Sequence, residues 1–198
     1  MRKLIVFIWL ILLGSGVFAL FWYNEWQYTL PTPVPKNYSD VAFGKQIMPD
    51  KNLSFKNNKP LFLHFFNPDC PCSRFNIKHF KSLVSQYEGK VNFVVVLLTD
   101  KYYTPEEVQK KFDLKVPVVV DPDMALQCGV YSTPQAAIID KNHKLYYRGN
   151  YNQSRYCTNE KTEYAKIALM GLLQNNKHLV FNQFALTAYG CRLPNCTQ

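Results

Sequence analysis

Residues 60–74 read P-L-F-L-H-F-F-N-P-D-C-P-C-S-R, a short apolar run that passes through a turn into two closely spaced cysteines. Residues 60–66 are almost wholly apolar, the composition of a central strand covered on both faces. Beyond Pro71 the spacing becomes helical. Phe75, His79, Phe80, Leu83, Val84 and Tyr87 recur along one side, and Gly89 closes the segment. Cys70 and Cys72 therefore stand at or just before a helix N-terminus. Unpaired N–H groups and the positive end of the helix dipole stabilise a thiolate there, and thiol pKa values fall from about 8.5 to roughly 3.5–7.5. Arg74 pushes in the same direction and Asp69 against it.

Downstream, residues 91–99 (V-N-F-V-V-V-L-L-T) predict a second buried strand. Thr104-Pro105-Glu106-Glu107 has the form of a capping box with proline at the first helical position, opening a short helix to Phe112. Residues 116–120 predict a brief strand broken by Pro117, and residues 124–128 one helical turn closed by Gly129. Residues 135–140 and 144–148 form two strands about a hairpin-length connection at 141–143. A final helix is predicted over 159–174, with Tyr164, Ile167, Ala168, Leu172 and Leu173 on a common apolar side. This alternation predicts an α/β domain, a central mixed sheet with flanking helices.

Upstream, Met1-Arg2-Lys3 precedes an uncharged run from Leu4 to Tyr23, about the length that crosses a hydrocarbon core as a helix. Two readings compete: an uncleaved membrane anchor, or a signal peptide with its cleavage-like small residues at Val17-Phe18-Ala19. The run continues through Leu20, Phe21, Trp22 and Tyr23, which favours the anchor. Arg2 and Lys3 before the span place the N-terminus in the cytoplasm by the positive-inside rule, so the domain is expected outside the cytoplasm, in the periplasm if the source is bacterial. Trp22, Tyr23, Trp26 and Tyr28 fit an aromatic belt at the far interface. The chain then divides into residues 1–23, an anchor or signal; residues 24–39, a linker; and residues 40–198, one domain with a cysteine-containing tail. Pro31, Pro33 and Pro35 make the linker an extended, semi-rigid spacer that holds the domain off the membrane.

Residues 24–198 carry 21 Lys and Arg against 14 Asp and Glu. The cations are scattered rather than gathered into a stripe, which excludes nucleic acid and leaves weak attraction to anionic surfaces. Outside the cytoplasm the six cysteines, at 70, 72, 128, 157, 191 and 196, are free to pair, and spacing cannot choose among fifteen connectivities.

The segments Phe65-Phe66-Asn67-Pro68-Asp69-Cys70-Pro71 and Cys128-Gly129-Val130-Tyr131-Ser132-Thr133-Pro134-Gln135, the latter followed by an apolar strand, resemble two motifs of the thioredoxin-like superfamily. The likeness is greater to its membrane-anchored, extracytoplasmic redoxins than to cytosolic thioredoxin. The resemblance implies a thioredoxin-like fold, thiol–disulfide exchange on protein substrates with Cys70 as nucleophile, and a cis Thr133–Pro134 peptide that faces the cysteines and grips a substrate strand. No cofactor is implied. The chain departs from the family in having Ser73 where the second cysteine of C-x-x-C stands, with Cys72 one position early. A Cys70–Cys72 bond would be strained and readily given away, which leans towards an oxidant or isomerase, with Cys72 as resolving thiol.

A metal carrier is the rival reading: Cys72, Asn76 and His79 share one helix stripe, and Cys70, Cys72 and His79 would suit copper or another soft metal. The remaining cysteines have structural readings. Cys128 is expected as a buried free thiol, and Cys157, Cys191 and Cys196 as candidates for a disulfide within the tail or from the tail to Cys157. His64, inside an apolar strand, is expected as a hydrogen-bonded core residue, and His79 as a helix histidine lying against the sheet. Asn52-Leu53-Ser54, Asn152-Gln153-Ser154 and Asn195-Cys196-Thr197 match the glycosylation triplet, a pattern frequent by chance.

Overall fold

The computed structural model describes residues 2–26, 29–49, 57–176 and 179–193. The apolar N-terminal run forms helix α1 (Arg2–Asn24), long and apolar enough to cross a membrane and buried nowhere against the domain. The predicted central strand is β1 (Leu61–Phe66), every residue of which is buried. Its periodicity of two assigns Leu61, Leu63 and Phe65 to one apolar cluster and Phe62 and Phe66 to the other, because successive side chains leave a strand on opposite faces. Strand β2 (Asn92–Leu97) repeats the division, with Phe93, Val95 and Leu97 on the side of Phe62, and Val94 and Val96 on the side of Leu63.

Helix α2 (Pro71–Tyr87) covers the Phe62 face with Phe80 and Leu83. Helix α3 (Pro105–Phe112) opens with the predicted capping box: Thr104 Oγ1 accepts from the Glu107 N–H at 3.2 Å, and the Glu107 carboxylate accepts from the Thr104 N–H at 2.9 Å. Strand β3 (Val118–Val120) and helix α4 (Pro122–Cys128) follow. Met124, Ala125 and Cys128 of α4 seal the Leu63 face, and α4 ends on Gly129 at φ +69°, a left-handed stop suited to glycine. The two residues Ser132–Thr133 form β4, followed by β5 (Gln135–Ile139) and β6 (Leu145–Gly149). The five-stranded sheet has the order β3-β2-β1-β5-β6; β1, β2 and β3 run parallel, and β5 is antiparallel to both β1 and β6.

The last predicted helix begins later than its apolar spacing suggests. Residues Glu160–Thr162 make a 3-10 turn, and Glu163 at ψ 65° interrupts the backbone before α5 (Tyr164–Leu173). Ala165, Ala168 and Leu169 join α2 over the Phe62 face, opposite α4, so that helices cover both faces of the sheet. Two short elements of the tail have no periodic signal: α6 (Gln183–Leu186) and β7 (Cys191–Arg192). The proline-containing segment around Thr32 lies against the domain instead of standing clear of it. Pro31 pairs with Tyr189, the Thr32 N–H donates to the Ala188 carbonyl at 2.8 Å, and Thr32 is 5% exposed. Prolines on both sides of Thr32 fix φ at their own positions and restrict the residue before each, which limits the conformations the segment must give up to dock there.

His64 is wholly buried, with Nδ1 2.7 Å from the Tyr151 hydroxyl and its ring stacked on Phe80 at 4.4 Å. Burial, and secondarily the neighbouring His79, pushes its pKa from 6.5 to about 3. The unfolded chain takes up a proton near pH 6.5 that the folded chain refuses. This contribution to stability is complete above pH 6.5 and is lost as pH falls from there towards about 3. His79, also lowered by burial, acts in the same sense. Near-ultraviolet melts of the full-length protein in detergent are expected to show a midpoint several degrees lower at about pH 5 than at about pH 7.5. Coincident midpoints would refute the assignment.

Candidate functional site

The site is built where β1 runs into α2. Asn67 folds the turn: its N–H donates to Ser73 Oγ at 3.4 Å, its side-chain oxygen accepts from the Asp69 N–H at 2.9 Å, and its carbonyl accepts from the Cys70 N–H at 3.1 Å. Cys70 is the residue that caps α2, in extended conformation (φ −78°, ψ 120°), and Pro71 occupies the first helical turn, where a missing N–H costs nothing. No side chain caps the helix at Cys70. Cys70 thus stands at the N-terminal end of α2, as its spacing predicts. Asp69, the residue directly before Cys70, takes a hydrogen bond from the Tyr103 hydroxyl at 3.0 Å and an ion pair from Lys101 at 3.2 Å.

Facing this turn, the Thr133–Pro134 peptide is cis. The Thr133 carbonyl oxygen lies 3.5 Å from Cys70 Sγ, a contact rather than a hydrogen bond, since the sulfur carries no proton in the disulfide that it forms. That disulfide joins Cys70 to Cys191, 121 positions away, with Cα atoms 6.0 Å apart.

This pairing corrects two expectations. Cys70 is not bonded to Cys72, and Cys191 is bonded neither to Cys157 nor within the tail. The reason is direction. Cys70, outside the helix, turns its sulfur towards β4, whereas Cys72, inside the first turn, lines a cavity of about 310 Å³ together with Asn76, Arg155 and Cys157. Cys72 is a free thiol, 3% exposed. Burial raises its pKa, and the nearby Arg155 guanidinium, which hydrogen-bonds the sulfur, offsets this only in part. Arg155 also donates to Glu25 at the end of α1 (2.8 Å) and to the Tyr156 hydroxyl (2.6 Å). Neither Arg155 nor Glu25 carries a local sequence signal linking it to Cys72: Arg155 stands two residues before Cys157, and Glu25 follows the apolar run.

Cys157 is likewise a free thiol, accepting a hydrogen bond from the Asn76 amide at 3.1 Å, its pKa pushed up to about 12 by burial. Cys128 is the buried free thiol expected, also raised to about 12 by burial. Cys196 lies outside the described residues, as do Tyr28, Asn52-Leu53-Ser54 and Asn195-Cys196-Thr197. The proposed metal-ligand set Cys70, Cys72 and His79 is not brought together: the Cys70 sulfur is committed to Cys191, and His79 Nδ1 faces the Glu163 carboxylate at 3.4 Å. Among the described residues no group of three or more His, Cys, Asp and Glu side chains converges as a metal site would.

A mixed sheet whose central parallel strand leads through a cysteine turn into a helix, with a cis-proline loop entering the next antiparallel strand, is the thioredoxin-like architecture. A family described as a domain of unknown function, DUF6436, matches residues 40–195, and the chain belongs to that family. Among solved structures it is similar to an uncharacterized conserved protein from Geobacillus kaustophilus (22% identity, 83% of this chain and 97% of that one, TM-score 0.65). A hypothetical protein from Sinorhizobium meliloti is similar over 79% of this chain and 96% of its own (19% identity, TM-score 0.60). A thiol-disulfide oxidoreductase from Bacteroides fragilis is similar over 60% of this chain and 81% of its own (19% identity, TM-score 0.45). No curated protein sequence matches significantly.

Proposed function

We propose that this protein carries out thiol–disulfide exchange on protein substrates outside the cytoplasm, with Cys70 as the exchanging sulfur and α1 as its membrane anchor. One observation carries the reading: Cys70 stands at the N-terminus of a long helix, already in a disulfide, against a cis Thr133–Pro134 peptide. Once that disulfide opens, the first-turn N–H groups and the helix dipole stabilise the Cys70 thiolate, the form that attacks a disulfide or leaves from one. Thr133 and Pro134 flank the reacting sulfur and offer a backbone carbonyl to an incoming chain. The positively charged Arg2 and Lys3 at the start of α1 and its apolar length support an orientation with the domain outside the cytoplasm.

The test is thiol trapping with mass spectrometry on the full-length protein in detergent, equilibrated across a series of glutathione poises. A Cys70–Cys191 bond that opens and closes reversibly with poise is expected. Absence of that bond at every poise, or its persistence at every poise, would defeat the proposal.

A further inference from the structure

We infer that residues 189–192 of the tail occupy the edge on which a client polypeptide docks, and that Cys191 resolves the client mixed disulfide by displacing the client strand. This rests on the exchange reading above. Strand β7 pairs antiparallel with β4, Cys191 opposite Thr133 and Arg192 opposite Ser132. These are the two residues immediately before Pro134, so the backbone edge beside the reactive sulfur is already filled by a strand that presents a cysteine to Cys70. The bound tail has the geometry that a protein substrate must adopt in a mixed disulfide with Cys70.

The tail is seated by specific contacts. Ser132 Oγ donates to the Cys191 carbonyl at 3.2 Å, and Thr32 Oγ1 donates to the Gly190 carbonyl at 3.2 Å. Upstream, the Asn150 amide donates to the Phe184 and Thr187 carbonyls at 2.7 and 2.6 Å, clamping α6 to the end of β6. Gly190 itself is held at φ +143°, and a Cβ there would run into the Thr133 carbonyl oxygen and crowd Ser132 Oγ. Only glycine lets the strand approach this closely. The edge should therefore select client segments with glycine directly before the reactive cysteine.

Client and tail compete for one edge, and this orders the reaction. With the protein reduced, the Cys70 thiolate attacks one sulfur of a client disulfide. A Cys70–client bond forms, the client S–S bond breaks, and the second client sulfur leaves as a thiolate that takes a proton from water. The Cys191 thiolate then attacks the Cys70 sulfur as β7 re-pairs with β4. The client leaves as a dithiol, and two electrons have passed from Cys70 and Cys191 to it. The reverse sequence oxidises a client dithiol by the same bonds.

The probe is a synthetic peptide copying residues 187–193 (T-A-Y-G-C-R-L), its cysteine carried as a mixed disulfide with thionitrobenzoate. Reduced full-length protein in detergent is expected to release thionitrobenzoate and then free peptide, ending with Cys70–Cys191. The Cys191→Ser variant, checked as folded by its near-ultraviolet circular dichroism, should release thionitrobenzoate as fast but stop at a stable Cys70–peptide adduct. The Cys72→Ser variant should behave as wild type. A peptide with valine in place of glycine should form the adduct at least about tenfold more slowly, the effect of roughly 1.4 kcal/mol. Release of peptide by Cys191→Ser at the wild-type rate, or equal rates for the two peptides, would overturn the inference and leave exchange at Cys70 standing. Unchanged thionitrobenzoate release by Cys70→Ser would instead remove the exchange reading beneath it.

Discussion

The Cys70→Ser variant is expected to lose thiol–disulfide exchange to the uncatalysed background. A serine hydroxyl at the cap of α2 can neither form the bond to Cys191 nor exist as an anion near neutral pH, so both the nucleophile and the leaving group of the reaction vanish. Stability must be separated from chemistry in this experiment. A bond that closes a loop of 121 residues contributes on the order of 4–5 kcal/mol by chain-entropy reasoning. Cys191→Ser loses that same bond while keeping the Cys70 thiolate, and it is the matched control. The two variants should melt alike in detergent, while only Cys191→Ser still reacts with a disulfide reagent at position 70. If Cys70→Ser retains wild-type exchange with an oxidised peptide, another sulfur does the work.

The second large effect is on the fold. Phe62→Ala removes a wholly buried ring from β1, where it meets Phe93 at 5.1 Å, Tyr151 at 6.0 Å and Phe80 at 6.2 Å between ring centres. These partners come from three different segments, so the vacated space cannot close by one side chain moving. The expected cost is about 3–5 kcal/mol. For a domain of this size that corresponds to a melting midpoint roughly 10 °C lower, followed by near-ultraviolet circular dichroism of the full-length protein in detergent. Leu126→Ala, at a position 70% exposed on α4, should stay within about 0.5 kcal/mol of wild type. A small shift for Phe62→Ala would mean that the ring does not hold the helix layer to the sheet.

The position of Cys72 sets an upper limit on its role. Its sulfur sits inside the first helical turn, with Asn76 and Arg155 about the same cavity, and burial opposes its ionisation. Arg155 ties that cavity to Glu25 at the end of α1, so the apolar N-terminal helix and the cysteine turn share one polar contact network. A thiolate at Cys72 would draw on the same guanidinium that now pairs with Glu25.

Local signals determined much of this protein. The unbroken apolar run of β1 and the helical spacing after Pro71 depend on neighbours within a few residues, and both elements stand where their patterns predict them. Thr104 and Glu107 cap α3 because the two side chains and two N–H groups involved are three residues apart, a distance the backbone of one turn fixes by itself. Helix α1, long and apolar enough to cross a membrane, follows from length and composition alone. The order of these elements already implied a sheet between helix layers, and the cysteine turn with its threonine–proline partner was legible as a likeness between short segments.

Tertiary structure alone decided which sulfur Cys70 meets. Cys72 is two residues away in the chain, but a cap residue and a residue inside the first turn point in different directions, so nearness along the chain does not bring the sulfurs together. Cys191 arrives from 121 positions away because α6 docks on β6, Gly190 clears the Thr133 carbonyl, and β7 pairs with β4. None of those contacts leaves a periodic trace. The tail elements are four and two residues long, too short for any hydrophobic pattern, and their stability comes from the surface on which they land. For the same reason the linker around Thr32 reads as a free spacer in the sequence and is packed against the tail in the structure: its partners, Ala188 and Gly190, exist as a surface only after the chain has folded.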